Sequence, residues 1–194
     1  MKTCRKPVTK GLQVTATILV SSILLSTTVL AADKYISLAG GTFSPVSTTT
    51  FDSNLSTVTV NYDTGYAVGG TVGADFNGLR IENELIYRQA NPDAWALGWL
   101  INAWYDVKNS SPLTPYLGGG CGLGRGHAAS PGIIDNDIAG IAYQAGGGLT
   151  WQIQPNISID LGYRYFGITD TSSNGSGTND LAGSSFLLGG RFRF

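Results

Sequence analysis

Cysteine, histidine and charge are scarce in this 194-residue chain: two Cys, one His and 13% charged residues. A single histidine cannot assemble a zinc centre, which takes several nitrogen and sulfur ligands. Cys4 lies in the basic N-terminal stretch and Cys121 far downstream, so a chain that loses its first residues has no intramolecular disulfide. Past residue 31 no apolar run reaches the roughly 20 residues of a membrane helix. No Gly-Lys-Ser/Thr element follows a strand, so the glycine runs at Gly118–Gly120 and Gly146–Gly148 are not phosphate cradles. They read instead as close packing within strands.

What is present begins with a leader. Lys2, Arg5, Lys6 and Lys10 precede an apolar stretch over residues 12–30, and Val29-Leu30-Ala31 then meets Ala32. A basic start, an apolar middle and a small-x-small site predict a signal peptide over 1–31, cut between Ala31 and Ala32. The mature segment, 32–194, then holds eight basic and thirteen acidic residues, which argues against a nucleic-acid partner. Its length is that of one domain.

Alternation at period two fills that domain. Residues 186–194 place Phe186, Leu188, Gly190, Phe192 and Phe194 on one face and Arg191 and Arg193 on the other. Further strands are expected at 34–42, 65–76, 79–89, 94–107, 115–125, 138–153 and 157–168. Asn77-Gly78 between the second and third is the strongest short hairpin signal. In the third, Leu79, Ile81, Leu85 and Tyr87 oppose Arg80, Glu82, Glu84 and Arg88, with Asn83 interrupting the apolar face. The connections 44–64, 90–93, 126–137 and 169–184 are long with the exception of the brief 90–93, whereas 77–78, 108–114 and 154–156 are short.

Two architectures have eight such strands. A soluble barrel of lipocalin type is apolar inside and polar outside. Here most strand charges share faces with Gly, Ser and Asn, opposite Tyr, Trp, Leu and Ile, and aromatics gather near strand ends. The expected fold is therefore all-β: an eight-stranded antiparallel up-and-down transmembrane β-barrel with alternating long outer loops and short periplasmic turns.

Five segments, in this order and spacing, resemble the small outer-membrane β-barrel superfamily that includes the OmpA-type transmembrane domain and the neisserial opacity proteins. They are Leu79-Arg80-Ile81-Glu82-Asn83-Glu84, Asn102-Ala103-Trp104-Tyr105-Asp106, Thr114-Pro115-Tyr116-Leu117-Gly118-Gly119-Gly120, Asp160-Leu161-Gly162-Tyr163-Arg164-Tyr165-Phe166, and the terminal Phe194. The resemblance covers 33–194. It implies a porin-like protein of the Gram-negative outer membrane, in contact with its lipid, with Phe192 and Phe194 read by the barrel-assembly machinery. No enzyme activity and no cofactor are expected, and the chain is expected to be monomeric.

An inward network is expected from Arg80, Glu82, Glu84, Arg88, Asp106, Asp160, Arg164, Arg191 and Arg193. Eight strands leave an interior just wide enough for side chains, so these charges should fill the lumen in pairs. His127, with Ser130, Asp135 and Asp137 beyond it, is the one triad-like set. It lies in an expected loop and lacks the His-x-Ser pattern of outer-membrane lipid A deacylases, so a lipid A-modifying enzyme is a distant alternative. Cys121 should face lipid as a small apolar residue. The polar loops 44–64 and 169–184 favour a surface interaction protein, adhesin or antigen, with a host or surface ligand. A structural barrel for envelope integrity, or a narrow low-conductance pore, is the alternative.

Overall fold

Asn77 and Gly78 adopt φ of +61° and +105°, the left-handed pair that a two-residue type I′ hairpin requires. The Asp75 carboxylate accepts from the Gly78 N–H at 2.7 Å and fixes the turn. The computed structural model describes residues 32–46, 48–51, 57–60, 63–91, 94–130, 133–170 and 181–194. The signal-peptide reading over 1–31 lies outside these residues.

The described residues form ten strands in chain order: β1 (Asp33–Pro45), β2 (Thr48–Phe51), β3 (Thr57–Val60), β4 (Asp63–Phe76), β5 (Leu79–Asn91), β6 (Ala94–Asp106), β7 (Leu113–Ser130), β8 (Ile133–Gln154), β9 (Ile157–Asp170) and β10 (Leu181–Arg193). Eight of them close into one barrel in the order β1-β10-β9-β8-β7-β6-β5-β4, and β2 and β3 pair separately. Every barrel neighbour is antiparallel, and closure runs from Tyr35 opposite Arg193 to Pro45 opposite Gly183. Closure leaves no open edge, which hydrocarbon demands because it offers backbone groups no partner.

The side-chain pattern is that of a lipid-facing wall. Leu38 is 74% exposed and Leu123 61%, whereas Arg88 and Trp104 are fully enclosed. Cys121 is free and faces outward. Asn83 keeps its outward place because the Trp99 indole N–H donates to its Oδ1 at 3.2 Å, which satisfies one polar group on the apolar face.

Two connections differ from the sequence reading. Residues 126–137 are not a long loop: β7 and β8 pair as far as Ser130 opposite Ile133. His127 therefore lies on a strand. The Gly, Pro, Asn and Asp content of this stretch resembles loop composition, yet its backbone groups find partners across the ribbon. Within 44–64, β2 and β3 form a second small hairpin, from Thr48 opposite Val60 to Phe51 opposite Thr57.

Glycine is needed where large rings cross the interior. A Cβ at Gly73 would fall 2.5 Å from the Tyr35 ring, and one at Gly162 2.5 Å from the Tyr116 hydroxyl. Removing the Cβ at these points lets both rings lie flat across the neighbouring strand.

Candidate functional site

Among the described residues the lumen is where the fold gathers ionisable side chains, and it divides into two halves. At the end carrying the Asn77-Gly78 turn, Arg193 reaches Asp75 at 3.4 Å and the exposed Asp33 at 3.8 Å. This rim pair is wet and contributes little. Deeper in, Nη2 of Arg191 donates to both oxygens of Asp160 at 2.7 Å. Thr150 adds a third donor to Asp160 at 2.6 Å.

Arg80 and Glu82, two residues apart, share the inward face of β5. The Arg80 guanidinium donates to Asp106 at 3.0 Å and to Glu82 at 3.1 Å, and lies 4.7 Å from the Tyr116 ring centroid. Glu82 also accepts from the Tyr35 hydroxyl at 2.7 Å and the Trp104 indole at 2.9 Å. One turn of the pleat further, Glu84 accepts from Arg164, from Asn102 at 2.8 Å and from Gln144. Arg164 lies over Trp104 at 4.9 Å. Between these groups is a cavity of about 20 Å³, bordered by Ser37, Thr71, Glu84, Asp160 and Arg164 among others, room for roughly one water.

The other half of the lumen is apolar. Phe43, Ile86, Leu100, Phe166, Ile168, Leu181 and Leu187 belong to one buried cluster there. The sequence reading placed a charge network along the interior, and this apolar plug is a departure from it. Arg88 stands at the plug and meets the Glu84 carboxylate through Gln144. Its guanidinium lies 3.8 Å from the Phe166 centroid and 6.0 Å from that of Phe43. Its one hydrogen bond goes to Gln144 Oε1 at 3.3 Å.

Tyr35, Asn102, Trp104, Tyr116, Gln144 and Thr150 complete the network and were not singled out from sequence. Each occupies an inward position of its strand, so the alternation that marked the charges marked these residues too. Gln144 matters most: it donates to Glu84 and to Asn102, and accepts from Arg88, joining the two halves.

Among the described residues the other candidates form no comparable site. His127 faces Trp95 and Asp137 in register, and the side chains of Ser130, Asp135 and Asp137 lie outside the described residues. No group of three or more His, Cys, Asp or Glu side chains among the described residues is placed to hold a metal ion. Phe192 and Phe194 point outward, 45% and 63% exposed.

Residues 17–194 match a family described as the outer membrane protein beta-barrel domain. The fold is similar to neisserial surface protein A, with a TM-score of 0.64 at 20% identity over 83% of this chain and 97% of that one. It is also similar to the N-terminal β-barrel domain of Pseudomonas aeruginosa OprF, with a TM-score of 0.53 at 13% identity over 83% and 97% of the two chains. At these identities the likeness is one of fold. No curated protein sequence matches the chain.

Proposed function

The chain belongs to the outer membrane protein beta-barrel domain family, and on that premise we propose that it works by contact at the cell surface rather than by passing solutes. It is an integral protein of the outer membrane, embedded in its lipid. The observation that supports contact most is the β7–β8 ribbon. Among the described residues β8 pairs with β9 only from Gly140 onward, and residues 133–139 pair with β7 alone. Seven residues of strand extend for roughly 23 Å. A ribbon ordered before binding loses less freedom on meeting a partner than a mobile loop does. We read it, with the β2–β3 hairpin and residues 171–180, as the surface that meets a host or environmental ligand, in the manner of an adhesin or antigen.

The test shortens all three segments to tight turns and compares that strain with a full deletion. Loss of surface or host-cell binding, with normal barrel insertion, is the expected result. A trimmed barrel that restores every deletion phenotype sinks the contact reading and leaves a structural role in envelope integrity.

The same reading takes the interior as a plug and the protein as a monomer without enzymatic activity. Planar-bilayer recording of purified protein should show at most small, rare openings; a steady large conductance would contradict a filled lumen. Residues 1–31 serve as the cleaved signal peptide, and Phe194, with Phe192, as the signal read during assembly. Deleting Phe194 removes one lipid-facing ring and a single backbone hydrogen bond, from its N–H to the Lys34 carbonyl, so stability should fall only slightly while insertion in cells falls several-fold. Quantitative blotting of outer membranes at native expression checks this, and an unaltered yield counts against it.

A further inference from the structure

Three glycines on the outward wall are not demanded by packing. A Cβ at Gly190 would meet nothing within 4 Å, one at Gly40 only a carbonyl oxygen at 3.7 Å, and one at Gly70 a Leu38 methyl at 3.4 Å, an ordinary contact. At Gly119 and Gly147, which also face outward, neighbouring backbone oxygens at 2.5 and 2.6 Å leave no room for a side chain. Glycine inside a strand weakens it, and it often marks a place where another molecule comes close.

The three surround Leu38. Gly70 of β4 and Gly190 of β10 stand directly opposite it on either side, and Gly40 follows two residues on along β1. Beside Leu38 the wall is recessed into an apolar groove of about 630 Å³, bordered by Ile36, Val72, Ile157 and Phe192. That volume falls within the ~300–1,000 Å³ of small-molecule sites. Lys34 stands two residues before Ile36 on the same outward face, opposite Ala74. The neighbouring acids Asp33 and Asp75 turn to Arg193 instead, so the Lys34 ammonium has no carboxylate partner among the described residues.

We infer that the groove holds one acyl chain of a glycerophospholipid whose phosphate sits at Lys34. The wall lies in hydrocarbon, so an apolar chain fills the recess, and dispersion contacts with its floor favour one chain over a passing neighbour. Four residues of strand separate Lys34 from Leu38, roughly 13 Å. A lysine stem runs along apolar surface and lifts its ammonium to the level of the headgroups. Charge and groove thus grip two ends of one molecule. With the β7–β8 ribbon outside, as proposed above, that molecule belongs to the periplasmic leaflet.

The test places the protein in nanodiscs of phosphatidylethanolamine and phosphatidylglycerol, with a trace of phosphatidylethanolamine carrying a diazirine on its acyl chain. After irradiation, labelled peptides are mapped by mass spectrometry. Labelling should concentrate on residues 34–38, 68–72 and 188–192. Gly70→Val combined with Gly190→Val, which fills the recess, should cut it there by about tenfold, the loss of roughly 1.4 kcal/mol of contact. Lys34→Gln should cut it by about fivefold, the weight of one lysine at a lipid surface. Ala103→Val, on the outward face of β6, should change nothing. Native mass spectrometry of detergent-extracted protein is the second readout, with one retained phospholipid per barrel that the same variants lose. Neither readout depends on which end of the barrel is outside, so failure here leaves the contact reading untouched. Labelling spread evenly around the barrel, a filled groove that keeps its lipid, or a dimer that the glycine substitutions disperse overturns the inference.

Discussion

Replacing Glu84 with alanine should lower the unfolding free energy by about 3–5 kcal/mol, the range for removing one partner of a buried ion pair. Glu84 accepts from three side chains on three other strands, Asn102 of β6, Gln144 of β8 and Arg164 of β9. Its loss strands the Arg164 guanidinium, whose carboxylate partner it is, in a space closed to bulk water. It also frees two amides and opens a gap beside the existing cavity. Asp33→Asn is the internal control, because Asp33 is exposed and 3.8 Å from Arg193, and pairs of that kind are worth little. Urea titration followed by tryptophan fluorescence measures both. A Glu84→Ala protein no less stable than Asp33→Asn would mean that the lumen admits enough water to screen Arg164.

The opposite sign is expected roughly 13 Å along the same strand, at the rise of about 3.3 Å per residue. Arg88→Met should stabilise the barrel by about 1–3 kcal/mol, since replacing buried charge by apolar side chains of like volume is often favourable. Arg88 has one neutral hydrogen-bond partner, Gln144, and is surrounded by Phe43, Phe166 and the rest of the apolar cluster. Methionine fills that space with a flexible apolar chain. A clear loss of stability would show that Arg88 has a compensating partner in the folded chain.

How far these features were legible in sequence depends on contrast between the two faces of each strand. In β5, Leu79, Ile81 and Leu85 against Arg80, Glu82 and Glu84 leave no doubt about which side is which, and Asn77-Gly78 fixes its register to β4. The charged half of the site was readable for that reason. Near the other end of the barrel the contrast fails. Ile86, Leu100, Phe166 and Ile168 are inward and as apolar as the outward Leu85, Ile101 and Tyr165. An inward hydrophobic residue carries no mark that distinguishes it from a lipid-facing one, so the plug was invisible. The partners within the network were hidden for another reason. Gln144 meets Arg88 across 56 positions of sequence, and that meeting is set by register and closure, which alternation along one strand does not encode. The β7–β8 ribbon was hidden by composition, since Gly126, Pro131 and Gly132 carry turn signals whether or not their neighbours pair.

The four tryptophans make assembly of this barrel observable in two colours of kinetics. Trp95, stacked on Tyr87, Trp99 beside Asn83, and the half-exposed Trp151 all face outward, so lipids carrying bromine on their acyl chains will dim them as soon as the strands enter the bilayer. Trp104 is shut inside, between Glu82 of β5, Tyr116 of β7 and Arg164 of β9. Its emission will stay bright beside those lipids, and it reaches its final surroundings only when β9 has come round to it. With Trp104 as the sole fluorophore in one variant and Trp151 in another, the delay between the two signals is the time the sheet spends in the membrane before it becomes a cylinder.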